Sequence, residues 1–354
     1  RAYLPETPAE LTETWLSEAL GAQVSGVQRS PLGDELGFMG DVVLLELESS
    51  DPLVPRHMVA KLPKKANRVM GELLGVYERE IMFFREFAGQ LPIRIPQHYF
   101  SEFDHDKGSE NQRQIIRALD GWPKFLGGLI GRLAMLIAGA KKRRYLLLIE
   151  YYEGMQPGDQ LAGLDVEACQ LVLRTIAPMH RQYWGDPSLG EHFWILEMDI
   201  DARMRQGTFL AHVEQYRDFM GPDVDSHLNW LEQNGEELLR RFYADVPPTL
   251  LHCDLRLDNV IFDGDSCAFI DFQLVRSGPA AYDVAYFITS AMHHSASDEE
   301  REQVLLEYHV ALAAPDYDFA SFKRDYQRAL MVILASMSST TDVELGEDRG
   351  RAMM

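Results

Sequence analysis

Residues 251–271 read LHCDLRLDNVIFDGDSCAFID, and the reading of the whole chain turns on them. They hold the pattern H-x-D-x-x-x-x-N in His252, Asp254 and Asn259, with a further carboxylate, Asp271, closing the stretch. Between them lie two short β-like runs, Asn259–Phe262 and Ala268–Phe272, joined by the turn DGDS. Such a hairpin carries Asp271 back beside Asn259. A carboxylate in a loop can accept a hydroxyl proton. An amide and a second carboxylate can hold Mg²⁺ against nucleotide phosphates through oxygen atoms.

Working outward, the two sides of this stretch differ in texture. Residues 1–150 read as a helix over Ala9–Leu20, then strands at Gly26–Leu32, Val42–Glu48 and Arg56–Leu62. A long helix follows over Val69–Ala88, then strands at Gln97–Ser101 and Tyr145–Glu150. Beyond Tyr152 helical periodicity dominates, over Val166–Trp184, Asp225–Tyr243, Asp283–Met292, Asp298–Ala313 and Phe319–Met337. Strands segregated from helices predict an α+β fold rather than an alternating one. The expected division is an N-lobe over 1–152 and a helical C-lobe over 153–354, the latter bearing the 251–271 stretch.

Composition narrows the function. Of 354 residues, 46% are hydrophobic and 25% charged, which excludes disordered and fibrous classes. The net charge of −21 argues against a nucleic-acid binder, which needs a basic footprint, and leans weakly toward a cationic or neutral small molecule. Three cysteines without a C-x-x-C pair give no disulfide framework or structural zinc site. The expected compartment is therefore the reducing cytoplasm.

The phrases HCDLRLDN, IDFQ and GPAAYDVAYF resemble the aminoglycoside phosphotransferase and choline kinase-like family, which has the protein-kinase-like fold. Gln273 after Asp271-Phe272, the phrase SGPAAYDVAYFITS and the helix LLEYHVAL resemble its ecdysteroid kinase-like branch. The resemblance runs from about Leu11 to Met337, apart from an insert. It implies a two-lobed fold, with a small antiparallel-sheet N-lobe and a larger, mostly helical C-lobe. It implies ATP and Mg²⁺ as cofactors and a small-molecule hydroxyl compound as acceptor.

The resemblance also implies roles. Asp254 would be the base or the carboxylate that positions the acceptor, and Asn259 and Asp271 the metal ligands. The family has Gly where this chain has Cys253, which puts a glycine-type backbone there in question. Arg256 would reach the transferred phosphoryl group, or else pair with Asp258. His252 would pack beneath the loop. Asp283 would cap its helix and brace the loop. Lys61, ending a strand, would hold ATP phosphates. Buried in an apolar strand it needs a counter-charge, and Glu80, on the apolar face of its helix, is favoured over Glu78. The glycines Gly33, Gly37 and Gly40 would let main-chain N–H groups approach phosphates. Glu150 and Tyr152 would mark the adenine-binding hinge.

Two readings compete with an ATP-dependent phosphotransferase: a catalytically silent nucleotide-binding module of the same fold, and a metal-using hydrolase. Against the first stands the complete set of Lys61, Asp254, Asn259 and Asp271. Against the second stand the glycine loop and the Lys–Glu pair. The acceptor (aminoglycoside, macrolide, choline or steroid-like), the preference for ATP or GTP and the oligomeric state stay open.

The insert, 104–144, separates two strands that would otherwise form a hairpin. Its apolar run from Phe125 to Ala140 is flanked by Lys124 and Lys141 to Arg144. At about 1.5 Å per residue it spans roughly 24 Å, short of a ~30 Å bilayer core, so it is not expected to cross one. A lid over the acceptor, or packing within the chain, is the favoured reading. A dimer contact and an interfacial anchor remain, the anchor disfavoured by the charge of −21.

Overall fold

The computed structural model describes residues 3–32, 40–65, 67–105, 111–121 and 143–337. The loop glycines Gly33 and Gly37, and the apolar run of the insert, lie outside the described residues. The described residues form two compact units. One comprises those within Arg1–Glu110, Leu129–Met155 and Ile270–Gln273, and the other comprises the rest.

The first unit is built on a five-stranded antiparallel sheet of β1 (Gly26–Pro31), β2 (Gly40–Glu48), β3 (His57–Pro63), β4 (His98–Phe103) and β5 (Tyr145–Glu150). The spatial order is β1-β2-β3-β5-β4. The register sets Lys61 of β3 between Val42 of β2 and Leu147 of β5. Alternation along β2 sends Val43, Leu45 and Leu47 to one face. There they pack with Leu11, Trp15 and Leu16 from the chain leading into and along helix α1 (Glu13–Leu20). Thr12 caps α1, accepting from Trp15 N–H at 3.2 Å, and Gly21 ends it at φ 66°.

The long helix expected over Val69–Ala88 is two helices, α2 (Arg68–Leu74) and α3 (Val76–Glu86). Gly75 lies between them at φ 68°, a left-handed conformation open to glycine at little cost, so the hydrophobic pattern runs on while the backbone breaks. The pairing of β4 with β5 joins Phe103 to Tyr145, so the insert does interrupt a hairpin.

The second unit begins with α4 (Gln112–Asp120) from that insert. Arg113 donates to the carbonyls of Gly190 at 2.6 Å and His192 at 3.1 Å, and also to that of Ile195. Arg117 pairs with Glu197 at 2.8 Å. Asp120, buried, accepts from Met204 N–H at 2.9 Å and from Arg240 at 2.7 Å. The unit continues with β6 (Gln156–Pro157), α5 (Val166–Gln182), β7 (Leu196–Glu197), α6 (Ala202–Met220) and α7 (Asp225–Ala244). It ends with β8 (Thr249–Leu251), β9 (Val260–Asp263), β10 (Ser266–Phe269), β11 (Arg276–Gly278), α8 (Ala281–Ala291), α9 (Asp298–Leu312) and α10 (Phe319–Met337).

The sequence pattern did not mark α6 as a helix. Its core contacts, through Phe209, Val213 and Tyr216, are made to Leu228 and Leu231 of α7, and polar residues interrupt the stripe. Antiparallel β9 and β10 make the expected hairpin, shifted by a residue or more at each end. Asn259 ends a single 3₁₀ turn, Leu257–Asn259, rather than starting the strand, and Asp271 lies past the end of β10.

Candidate active site

In the second unit, β8 delivers the chain into the loop His252–Asn259. Asp254 is only 9% exposed, and its oxygens are spoken for. Oδ2 accepts from Asn259 Nδ2 at 2.9 Å and Oδ1 accepts from the Tyr286 hydroxyl at 3.2 Å. Asn259 Nδ2 also donates to the main-chain oxygen of Asp254 at 2.9 Å, closing the loop on itself. Burial, and then the Asp254 charge, push the Tyr286 phenol well above its ordinary value, so it stays a neutral donor. Arg256 Nε lies 3.6 Å from Asp254 Oδ2, and its Nη1 lies 3.8 Å from Asp258. Both partners flank it at ion-pair distance.

Beneath the loop, Asp283 is fully buried and works through main-chain groups. Its Oδ2 accepts from His252 N–H at 2.7 Å and its Oδ1 from Cys253 N–H at 2.9 Å. His180 Nε2 lies 3.2 Å from Oδ2, and His180 Nδ1 lies 2.7 Å from the Tyr308 hydroxyl. Asp283 therefore braces the loop. The expected capping role is not seen, because it sits inside the first turn of α8, whose N-cap is Ala280. His252, also fully buried, accepts from Asp254 N–H at 3.3 Å through Nδ1.

Cys253 has φ 63°, the glycine-type backbone the sequence put in question. A β-carbon there costs on the order of 1 kcal/mol or more. Cys253→Gly is expected to raise stability by up to about 1 kcal/mol, read as a higher urea midpoint at unchanged slope. A lowered midpoint would show that thiol packing outweighs the strain.

In the first unit, Lys61 Nζ donates to Glu80 Oε1 at 2.6 Å and to Asp271 Oδ1 at 3.2 Å. Burial works against the Lys61 charge, but Asp271 and Glu80 outweigh it and hold the ammonium above its ordinary range. Burial raises the Glu80 carboxyl, and the nearby Asp271 charge adds to that rise. Glu78 takes a different cation, Arg143, at 3.1 Å. Asp271 has φ 67°, and its Oδ2 accepts from Gln273 Nε2 at 3.3 Å. Phe272 stacks on Phe83 of α3, with ring centroids 4.1 Å apart and planes 9° apart. Arg79 donates to the Gln273 carbonyl at 3.1 Å. Two contacts thus tie α3, which carries Glu80, to the segment that carries Asp271.

The sequence-derived site residues fall into two groups, Lys61, Glu80 and Asp271 in one unit and Asp254, Arg256 and Asn259 in the other. Gly40 begins β2, opposite Pro63. Glu150 ends β5 and accepts from Gln97 N–H at 3.0 Å. Tyr152 is buried under the Arg94 guanidinium, 5.1 Å from the ring centroid. Tyr286 went unread as a partner of Asp254. Its only signal is its place three residues after Asp283, one helical turn on.

A model of the phosphotransferase enzyme family matches residues 55–322. The chain belongs to that family. No curated protein matches it. Among solved structures, that of a microcompartment-associated aminopropanol kinase is 17% identical, with a TM-score of 0.53, covering 96% of this chain and 91% of the other. The GDP complex of an aminoglycoside 2'-phosphotransferase is 12% identical with a TM-score of 0.54, over 96% and 97%. A macrolide 2'-phosphotransferase from Brachybacterium faecium is 12% identical with a TM-score of 0.52, over 96% of each chain. These likenesses show the kinase-like fold, with its antiparallel five-stranded sheet and helical second part. Membership of the phosphotransferase enzyme family makes the chain an enzyme of phosphoryl transfer.

Proposed function

We propose that this phosphotransferase moves the γ-phosphoryl group of ATP to a hydroxyl of a small molecule. The observation that carries the reading is Asp254, a carboxylate held by Asn259 and Tyr286 on a loop braced from below by Asp283. The acceptor oxygen attacks the γ-phosphorus, the bond to the β-phosphate oxygen breaks, and ADP leaves. Asp254 orients the hydroxyl and takes its proton. Lys61, held by Glu80, meets the nucleotide phosphates, and Arg256 offsets charge on the group in transfer.

The donor chemistry fits Mg²⁺. Asn259 spends its amide nitrogen on Asp254, leaving an amide oxygen as a hard ligand, and Asp271 offers carboxylate oxygens. When bound, the ion neutralises phosphate charge. Gly33, Gly37 and Gly40 are assigned to the phosphates, and Glu150 and Tyr152 to the nucleotide base. The likeness to the ecdysteroid kinase-like branch, carried by Gln273 and SGPAAYDVAYFITS, favours an alcohol on a bulky acceptor. The cytoplasm is the proposed site of action. Among the described residues no helix is long and apolar enough to cross a membrane.

The test is ADP release from ATP and Mg²⁺ across a set of hydroxyl compounds, with Asp271→Ala as the control. In the variant the thermal shift caused by ATP should lose its dependence on Mg²⁺. An unchanged, fully Mg²⁺-dependent shift would place the metal ligand elsewhere. Nucleotide binding without ADP release for any hydroxyl compound would favour the silent module.

A further inference from the structure

We propose that the acceptor carries an anionic oxygen group, a carboxylate or a phosphate, that seats on Arg205 and Arg276. The proposal rests on the phosphotransferase reading above and names the substrate class of that site.

Two guanidinium groups share one carboxylate oxygen. Arg205 Nε donates to Asp201 Oδ1 at 2.9 Å, and Arg276 Nη1 donates to the same atom at 3.4 Å. Among the described residues neither arginine pairs with another acid. The cluster therefore has one positive charge more than its partner answers. Its side chains are 18–29% exposed, open enough for a ligand yet sheltered enough for an unanswered charge to be costly. A guanidinium offers two parallel N–H donors, the geometry that matches carboxylate and phosphate.

The cluster adjoins the Asp254 loop. Arg276 pairs across the sheet with Leu251, the residue that precedes His252. Arg205 is close enough to Cys253 and Tyr282 to interact with them electrostatically. The Tyr282 ring lies near-parallel to that of Tyr286, with centroids 6.1 Å apart, and Tyr286 donates to Asp254. All of these residues belong to the second unit. An aromatic pair thus runs from the arginines to the carboxylate that faces the reacting hydroxyl.

The chain's net charge of −21 argues the other way, toward a cation. Charges beyond about 8–10 Å are largely screened at physiological salt, however, so the local surplus decides. A polyamine acceptor would meet Arg205, Arg276 and Arg256 together.

The experiment sets sugar acids and sugar phosphates beside the matching neutral and amino sugars, with ADP release as the readout. The wild type should favour the anions by about tenfold or more in kcat/KM, mainly through KM. The higher of the two anion classes identifies the group. Arg205→Met and Arg276→Met should each erase the preference, and Arg205→Lys should retain part of it. A preference for amino or neutral sugars, or an anion preference that survives both Met variants, overturns the proposal. If no compound of any charge releases ADP, the phosphotransfer reading fails for this set, and the proposal is then judged on thermal shift alone. Anions but not neutral sugars should raise the wild-type midpoint, and Arg205→Met should abolish that rise. No charge-dependent shift overturns it.

Discussion

Asp254→Asn is expected to cut ADP release by about 10²- to 10⁴-fold while the protein still binds ATP with Mg²⁺. The substitution keeps the shape of the side chain and its place between Asn259 and Tyr286, and removes only the carboxylate charge to which the proposal assigns the proton. Single-turnover kinetics and an ATP thermal shift on the same preparation separate the two effects. Near-normal turnover would sink the assigned role, since an amide cannot act as base. A loss of turnover together with a loss of ATP binding would instead assign Asp254 to holding the nucleotide.

Asp283→Ala is expected to have the largest effect on stability. Two main-chain N–H groups, of His252 and Cys253, and the His180 imidazole lose their acceptor at once. Each buried donor left unmet costs about 1–3 kcal/mol, so a total loss of at least ~3 kcal/mol follows. Urea unfolding measures it directly. Because the lost bonds position the residues just before Asp254, turnover should fall even at temperatures where the variant is fully folded. A variant with wild-type stability would mean that water replaces the carboxylate.

The sequence marked the candidate residues better than it marked their surroundings. Asp254, Asn259 and Asp271 stand out because the spacing comes together with the hairpin and the I-D-F that follow it, and the choice of Glu80 over Glu78 followed from helical phase. Helical phase did not reveal that Glu78 has its own cation in Arg143, a partner far along the chain at the edge of the insert. The break at Gly75 was hidden because a glycine within a continuing apolar stripe reads as a tolerated residue. Helix α6 was hidden because its burial is made by long-range contact with α7. Tyr286 and the pairing of Arg276 with Asp201 depend on which elements meet, and local pattern holds no record of that, whereas Arg205 lies four residues past Asp201 and was missed with the helix that carries it.

The docking of α4 has a consequence for how this chain can change over generations. Arg113, Arg117 and Asp120 come from a segment that interrupts a hairpin of the first unit. Their partners, the 190–195 carbonyls, Glu197 and Arg240, belong to the body of the second. A descendant that lost the segment would strand Glu197 and Arg240 without these partners, so the loss becomes tolerable only with matching replacements elsewhere. The insert and its dock should therefore be inherited together, and relatives with a short β4–β5 turn should carry different residues at both positions.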